Sequence, residues 1–425
     1  MAVEAKKNRW LIALAAVSIH ISIGSVYSWS VFSNPMNETY GWGLTAISAT
    51  FSIAILFLGL SAAFMGHFVE KYGPRISGIV SASFFGVGML ASGFAAQIES
   101  LWLMYFTYGM LGGIGLGIGY ITPVSTLVKW FPDRRGLATG MAIMGFGFAS
   151  LIASPVMQRL IEGVSIPGTF YILGAVYLVL MLAGASYLEK PPEGWVPKSM
   201  RGQDTAKESA EDRDLSYLTA NESLKTRRFY LLWIMLFINV TCGIAILSVA
   251  APMGQEIAGL SAAAAATMVG IMGFFNGAGR LAWATISDYI GRPNVYTVFF
   301  VIQIASFFIL PTITQALMFQ AILFLIMTCY GGGFASIPAY IGDIFGTKQL
   351  GAIHGYILTA WAAAGLVGPI LVSWLRETTE SYTLTLYIFA FAFIVALAAS
   401  LLIRVDIKKL KQEKANGSSQ AAVNE

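Results

Sequence analysis

Charge is what this sequence has least of. Only 11 % of its 425 residues are Asp, Glu, Lys or Arg, and 56 % are hydrophobic. A soluble domain carries about 25 % charged residues. With so little polar surface the chain cannot cover a globule, so its outer face has to meet lipid. Cysteine is scarce too: Cys242 and Cys329 both fall inside apolar runs, which gives no sign of a disulfide framework. The sequence contains no zinc-type spacing, nucleophile elbow, Walker loop or pair of carboxylates within an apolar run. These motifs are the ordinary carriers of metal, acyl-transfer and nucleotide chemistry. Their absence argues against an enzyme and against an ATP-driven pump, and no cofactor, metal or nucleic-acid partner is expected.

What is present is a series of apolar runs, each long enough to span a bilayer at about 20 residues. About twelve can be marked off, near 10–33, 44–66, 76–97, 101–128, 136–160, 167–188, 227–252, 261–286, 294–313, 316–340, 350–375 and 381–404. The first follows a basic N-terminus but runs on too far, without a small-residue cleavage site, to be a signal peptide. Only one connection is long, Leu188–Arg228, and it is charged and poor in aliphatics. The expectation is an all-α integral membrane protein with two six-helix bundles, 1–188 and 227–405. A solvated linker, 189–226, joins them, and a basic, low-complexity tail, 406–425, reads as disordered.

Lysine and arginine set the orientation, because insertion keeps them on the cytoplasmic side. Of the 26, all but Arg159, Arg376 and Arg280 lie near the termini, in the linker or in one set of alternating connections. Both termini and the linker are therefore expected in the cytoplasm, with the chain crossing the inner or plasma membrane many times.

The two halves also repeat. "GHFVEKYGPR" (Gly66–Arg75) answers "ATISDYIGRP" (Ala284–Pro293), with Glu70 matching Asp288 and Gly73 matching Gly291. "FSNPM" answers "VAAPM", and "WFPDRRGLATG" (Trp130–Gly140) answers "IFGTKQLGAIHG" (Ile344–Gly355). Homologous halves around a central site are a common transporter design.

On these residues the sequence resembles the major facilitator superfamily along essentially its whole length. The two loop segments are similar to that superfamily's motif between helices two and three and to its echo between eight and nine, although Glu70 stands where an Asp is usual. "VKWFPDRRGLATGMAIMGFG" (Val128–Gly147) resembles the entry to helix five in monocarboxylate transporters and their bacterial relatives, oxalate–formate antiporters included. "YSWSVFSNPM", "FNGAGR" and "DIFGT" are similar to the bacterial branch. The resemblance implies the superfamily's twelve-helix fold in two pseudo-symmetric bundles and a carrier function.

Arg280 is the sharpest single signal. It lies within the eighth apolar run, and a guanidinium keeps its proton at any cellular pH. Asp288 follows at about 12 Å along a helix. An arginine stem spans about half of that, so full snorkelling to the surface is not available. No Asp or Glu stands in any run away from its ends. By the repeat, Arg280 corresponds to Ala62, so pseudo-symmetry does not require a charge here. Either a passenger's carboxylate accepts a bidentate pair from it, or backbone carbonyls hold it. Asn276, one turn earlier on the same face, donates to that carboxylate, steadies the guanidinium or simply joins helices.

His354 and His20 are able to titrate near neutral pH. Each is a candidate proton carrier, and each is also explained by packing; His354 is in addition placed to hydrogen-bond a substrate hydroxyl. His67, in the loop motif, reads as structural. In the oxalate–formate branch, aromatic residues at the positions matching Tyr27, Tyr120, Tyr330 and Phe334 line the substrate cavity, which implies an aromatic cage around Arg280. Singly, each ring is equally a core residue. The branch also brings a lysine from helix eleven, where this sequence has Trp361. In animal monocarboxylate transporters, Asn276 corresponds to a proton-coupling Asp and Tyr27 to a lysine. The run "GGIGLGIGY" (Gly112–Tyr120) reads as close helix packing. Glu70, Arg75, Asp133, Arg134, Arg135, Asp288 and Arg292 combine acids with arginines at helix ends, where ion pairs set loop geometry and, by extension, close the cytoplasmic side.

One buried cation suits one negative charge, because a dianion would keep an uncompensated charge in low dielectric. The expected function is therefore secondary transport of short monocarboxylates, lactate or pyruvate for example, together with a proton by alternating access. The alternatives are an oxalate–formate-like anion exchanger and a non-transporting carboxylate sensor on the same fold. Nothing demands more than a monomer.

Overall fold

The computed structural model describes residues 7–131, 135–192, 195, 197, 215–346 and 349–423. Among these described residues, twelve helices are long and apolar enough to cross a membrane: α1 Arg9–Tyr40, α2 Leu44–Phe64, α3 Lys71–Gln97, α4 Leu101–Leu127, α5 Gly140–Gly163 and α6 Ile166–Tyr187 in the first half. The second half has α7 Arg227–Ala258, α8 Ala262–Ser287, α9 Arg292–Thr312, α10 Ala316–Phe345, α11 Ala352–Thr379 and α12 Thr383–Gln412. The expected spans all occur. Several run further than their apolar cores, α1 through Tyr40 and α7 through Ala258, because amphipathic turns extend them beyond the hydrocarbon.

Backbone geometry carries the internal repeat. Gly41, which caps α1, has φ 67° and Gly259, which caps α7, has φ 63°. Gly73 and Gly291, in the two copies of the loop motif, have φ 80° and 84°. Residues with a Cβ resist these positive values, so glycine is what the two matching turns require.

The halves meet through α2 against α11, α5 against α8, and α1 against α7. Small residues allow the approach: a Cβ on Gly147 of α5 would stand 2.6 Å from the Gly277 Cα of α8, and one on Gly59 of α2 would stand 2.7 Å from the Ala362 Cβ of α11. On the face away from the termini, Glu377 of α11 accepts hydrogen bonds from Thr45 N–H, at 3.0 Å, and from the Thr45 hydroxyl. Ser48 and Ser373 share a hydrogen bond of 2.6 Å one turn deeper. Within the first half, "GGIGLGIGY" packs as expected: a Cβ on Gly115 would lie 2.4 Å from Phe85 N, and one on Gly117 2.3 Å from Leu58 O.

Several helices depart from regular winding, α1 and α4 over eight residues each. Ser25–Phe32 in α1 is a 3-10 stretch, and Tyr105–Gly112 in α4 is a π-helical stretch. Such segments are rare and often accompany function. The tail corrects an expectation of disorder. The helix that begins at Thr383 continues through Val423, since Lys, Leu, Gln, Glu and Ala in "IKKLKQEKA" are strong helix formers. The linker is not wholly solvated either. Leu215 N–H donates to Asp343 O, and Leu218 N–H to Phe345 O, each at 2.9 Å, which lays the end of the linker along the end of α10.

Candidate functional site

Arg280 is fully buried in the middle of the protein, where α8 faces α5. Its Nε donates to Asn276 Oδ1 at 3.2 Å, one turn back on α8. Its Nη1 donates to the Ile143 carbonyl at 3.2 Å, on α5 of the other half. No carboxylate pairs with it among the described residues, and Nη2 has no partner. Phe146 of α5 and Phe334 of α10 flank the guanidinium, with ring centroids 5.7 and 5.4 Å from its central carbon. Cation–π contacts in a dry site contribute about 0.5–2 kcal/mol each. An amide oxygen and a backbone carbonyl take Nε and Nη1, which leaves the N–H groups of Nη2, shared by both edges of the fork, for a further acceptor.

Around this cation the rings close into a box built from both halves. The Tyr27 hydroxyl, on the 3-10 stretch of α1, lies 2.8 Å from the Tyr330 hydroxyl on α10. Tyr27 meets Phe146 edge-on at 4.9 Å, and Tyr330 meets Phe334 at 5.6 Å. Tyr120 of α4 stands 5.1 Å from Trp361 of α11, and Trp361 lies 4.7 Å from Phe334 and 6.1 Å from Phe146. Tyr27, Tyr120, Tyr330, Phe334, Asn276 and Arg280 are thus brought together. The side chains of this box are buried, and an ion pair at such a site is stronger than at a surface.

Sequence reasoning missed two parts of the box. Phe146 belonged to a segment noted only for family likeness, and Trp361 was noted only for the lysine it replaces. A signal for Phe146 was available: in "GFG" a large ring sits between two glycines, the pattern of a helix crossing that needs both close backbones and a filled centre. The Ile143 carbonyl was not legible, because which carbonyl faces Arg280 depends on how the halves dock.

The histidines separate. His20, on α1, stacks on Tyr120 at 5.6 Å; its Nε2 lies 3.1 Å from Tyr120 O, and its Nδ1 contacts Ala142 O. His354 has no hydrogen bond or ring contact among the described residues. It stands two turns from Trp361 toward the start of α11 and outside the box. Among the loop residues, Arg292 donates from Nη1 to Ser287 Oγ at 2.8 Å, and its Nε lies 3.5 Å from Asp343 Oδ2. This ties the turn between α8 and α9 to the end of α10. Arg75 is exposed. Asp133 and Arg134, and the side chains of Glu70, His67, Arg135 and Asp288, lie outside the described residues.

A polar chain backs the box. Gln303 of α9 donates to Asn239 Oδ1 of α7 at 2.9 Å, and Asn239 Nδ2 donates to Tyr330 O at 3.3 Å. It fixes the part of α10 that presents Tyr330.

The sequence model of the Major Facilitator Superfamily matches residues 12–369 and 277–425. The chain belongs to the major facilitator superfamily. It is a multi-pass membrane transporter rather than an enzyme. An oxalate:formate antiporter of Oxalobacter formigenes is 30 % identical over 366 residues, 85 % of this chain and 83 % of that one. Monocarboxylate transporter 12 of Xenopus laevis is 27 % identical over 337 residues, 75 % of this chain and 70 % of that one. The crystal structure of a bacterial homolog of the human lysosomal transporter Spinster superposes with a TM-score of 0.72 at 14 % identity, over 96 % of this chain and 99 % of that one. The last of these speaks for the fold alone.

Proposed function

We propose that this facilitator carries short monocarboxylates of the lactate and pyruvate kind, with a proton, by rocking its halves about the Arg280 box. The supporting observation is the half-satisfied guanidinium in a ring-walled site with a single cation. Arg280 Nη2 and Asn276 Nδ2 are buried without partners, and both point the chemistry of the site toward an oxyanion. Trp361 occupies the place where the oxalate–formate pattern has a lysine, so one negative charge is matched and a second is not.

Proton coupling is assigned to His20 ahead of His354. A neutral imidazole has one N–H, yet both ring nitrogens of His20 meet carbonyls, those of Ala142 and Tyr120. Both contacts are hydrogen bonds only when the ring carries its second proton, and a carboxylate on Arg280 offsets the added charge. The halves 1–188 and 227–405 are the moving bodies, joined by 189–226. The placement of Lys and Arg supports cytoplasmic termini in the inner or plasma membrane, and the carrier is assigned as a monomer.

The test is uptake of radiolabelled lactate into proteoliposomes. Arg280→Ala is expected to abolish it, and Arg280→Lys to lower it at least tenfold, since a point charge replaces the fork. Full uptake by Arg280→Ala refutes the reading. Anion exchange is the second reading, favoured by the 30 % identity to an oxalate:formate antiporter. It requires uptake only into vesicles preloaded with an anion, with no response to an imposed pH gradient.

A further inference from the structure

Among the described residues, three buried side-chain N–H groups of the box have no hydrogen-bond partner: Arg280 Nη2, Asn276 Nδ2 and Trp361 Nε1. Buried donors are nearly always paired, by protein, water or ligand. The first two stand one turn apart on α8 and serve one carboxylate. The third is placed differently. Trp361 is on α11 and fully buried, and its indole is wedged edge-on among Tyr120, Phe146 and Phe334. Phe146 and Phe334 are the same two rings that flank the guanidinium. The indole and the cation therefore lie against the same pair of rings. The indole nitrogen is a donor only, and the phenyl rings beside it offer no oxygen.

We infer that Trp361 Nε1 donates to the oxygen on C2 of the passenger, which makes this tryptophan the residue that prefers 2-hydroxy and 2-oxo acids to unsubstituted ones. The assignment rests on the monocarboxylate reading and adds to it a second recognition point. With the carboxylate on Arg280 and Asn276, a 2-oxygen is the next acceptor along the molecule. Acetate and propionate fill the same space but leave the indole N–H unpaired, and a site built to hydrogen-bond a substrate group discriminates against analogues that lack it.

Trp361→Phe tests this, because it keeps an aromatic ring and removes the N–H. Uptake of lactate, pyruvate, propionate and acetate is measured in proteoliposomes for the natural protein and the variant. The ratio of lactate to propionate kcat/KM is expected to fall about fivefold to tenfold in Trp361→Phe, the span of one net hydrogen bond. An unchanged ratio, with both acids affected alike or neither affected, overturns the assignment. A readout independent of the variant's folding is the Tm of the natural protein. Lactate and pyruvate are expected to raise it more than propionate and acetate at equal concentration, and equal rises overturn the assignment. If the natural protein carries none of the four acids, the reading beneath it fails, and the assignment falls with it. If it carries them without the 2-oxygen preference, only the assignment fails.

Discussion

Removing the Glu377 carboxylate should loosen the face of the carrier away from its termini. The first turn of α2 has Gly43 as its N-cap, which offers no side chain to the free N–H groups. Glu377 of the opposite half takes that role, accepting from Thr45 N–H at 3.0 Å and from the Thr45 hydroxyl. A helix cap contributes about 0.5–2 kcal/mol. Glu377 is exposed, so solvent screening brings the figure toward the lower part of that range, about 1 kcal/mol. That contribution exists only while the halves touch. Glu377→Ala should therefore shift the closed-to-open ratio about fivefold toward opening on this face. Ser373 reports the change. It is fully buried beneath the latch and bonded to Ser48, and Cys242 and Cys329 are buried as well. In a Ser373→Cys background, the rate of modification by an impermeant maleimide should rise about fivefold when Glu377→Ala is added, with the Tm nearly unchanged. An unaltered rate refutes the latch, and a faster rate with a large fall in Tm means the helix has frayed instead.

Other expectations concern the same interface and the box. Paired Ser48→Cys and Ser373→Cys substitutions, whose natural oxygens are 2.6 Å apart, should form a disulfide that stops uptake until a reductant is added. Gly147→Val would drive a side chain into Gly277, where even a Cβ stands at 2.6 Å. Uptake should fall more than tenfold, and each half should keep its helicity by circular dichroism, because the clash lies between halves. Gln303→Leu breaks the bond to Asn239 and should cost about 1–3 kcal/mol of stability by leaving Asn239 Oδ1 unpaired. Its lactate KM should rise because Tyr330 is less firmly placed. Unchanged Tm and KM would show that the chain behind α10 positions nothing.

Much of the fold was legible because its causes are local or additive. A span is apolar along its whole length, and the repeated glycines at 73 and 291 mark turns that a Cβ would strain. Arg280 was legible for the opposite reason: a permanent charge in an apolar run contradicts everything around it. The rings were harder. Tyr27, Tyr120, Tyr330 and Phe334 are ordinary members of apolar helices, and family resemblance, not hydropathy, set them apart. Phe146 and Trp361 escaped because their role depends on docking between halves. Phe146 meets both Trp361 and Arg280 and so joins α5, α8 and α11, which are distant in sequence. His354 drew attention as a polar group in an apolar helix, but a helix places its residues by angle and height. Two turns were enough to leave it outside the box, while His20, with the same chemistry, lands against Tyr120.

The Ile143 carbonyl has a consequence for the kinetic cycle. It belongs to one half and Arg280 to the other, so their hydrogen bond forms only as the halves come together. It gives the cation a built-in counterpart that travels with the protein. The return stroke then does not have to drag a naked charge through a dry seam, and the barrier to resetting without cargo is lowered. That is what the proposed symport needs, whereas one-for-one exchange would gain nothing from it.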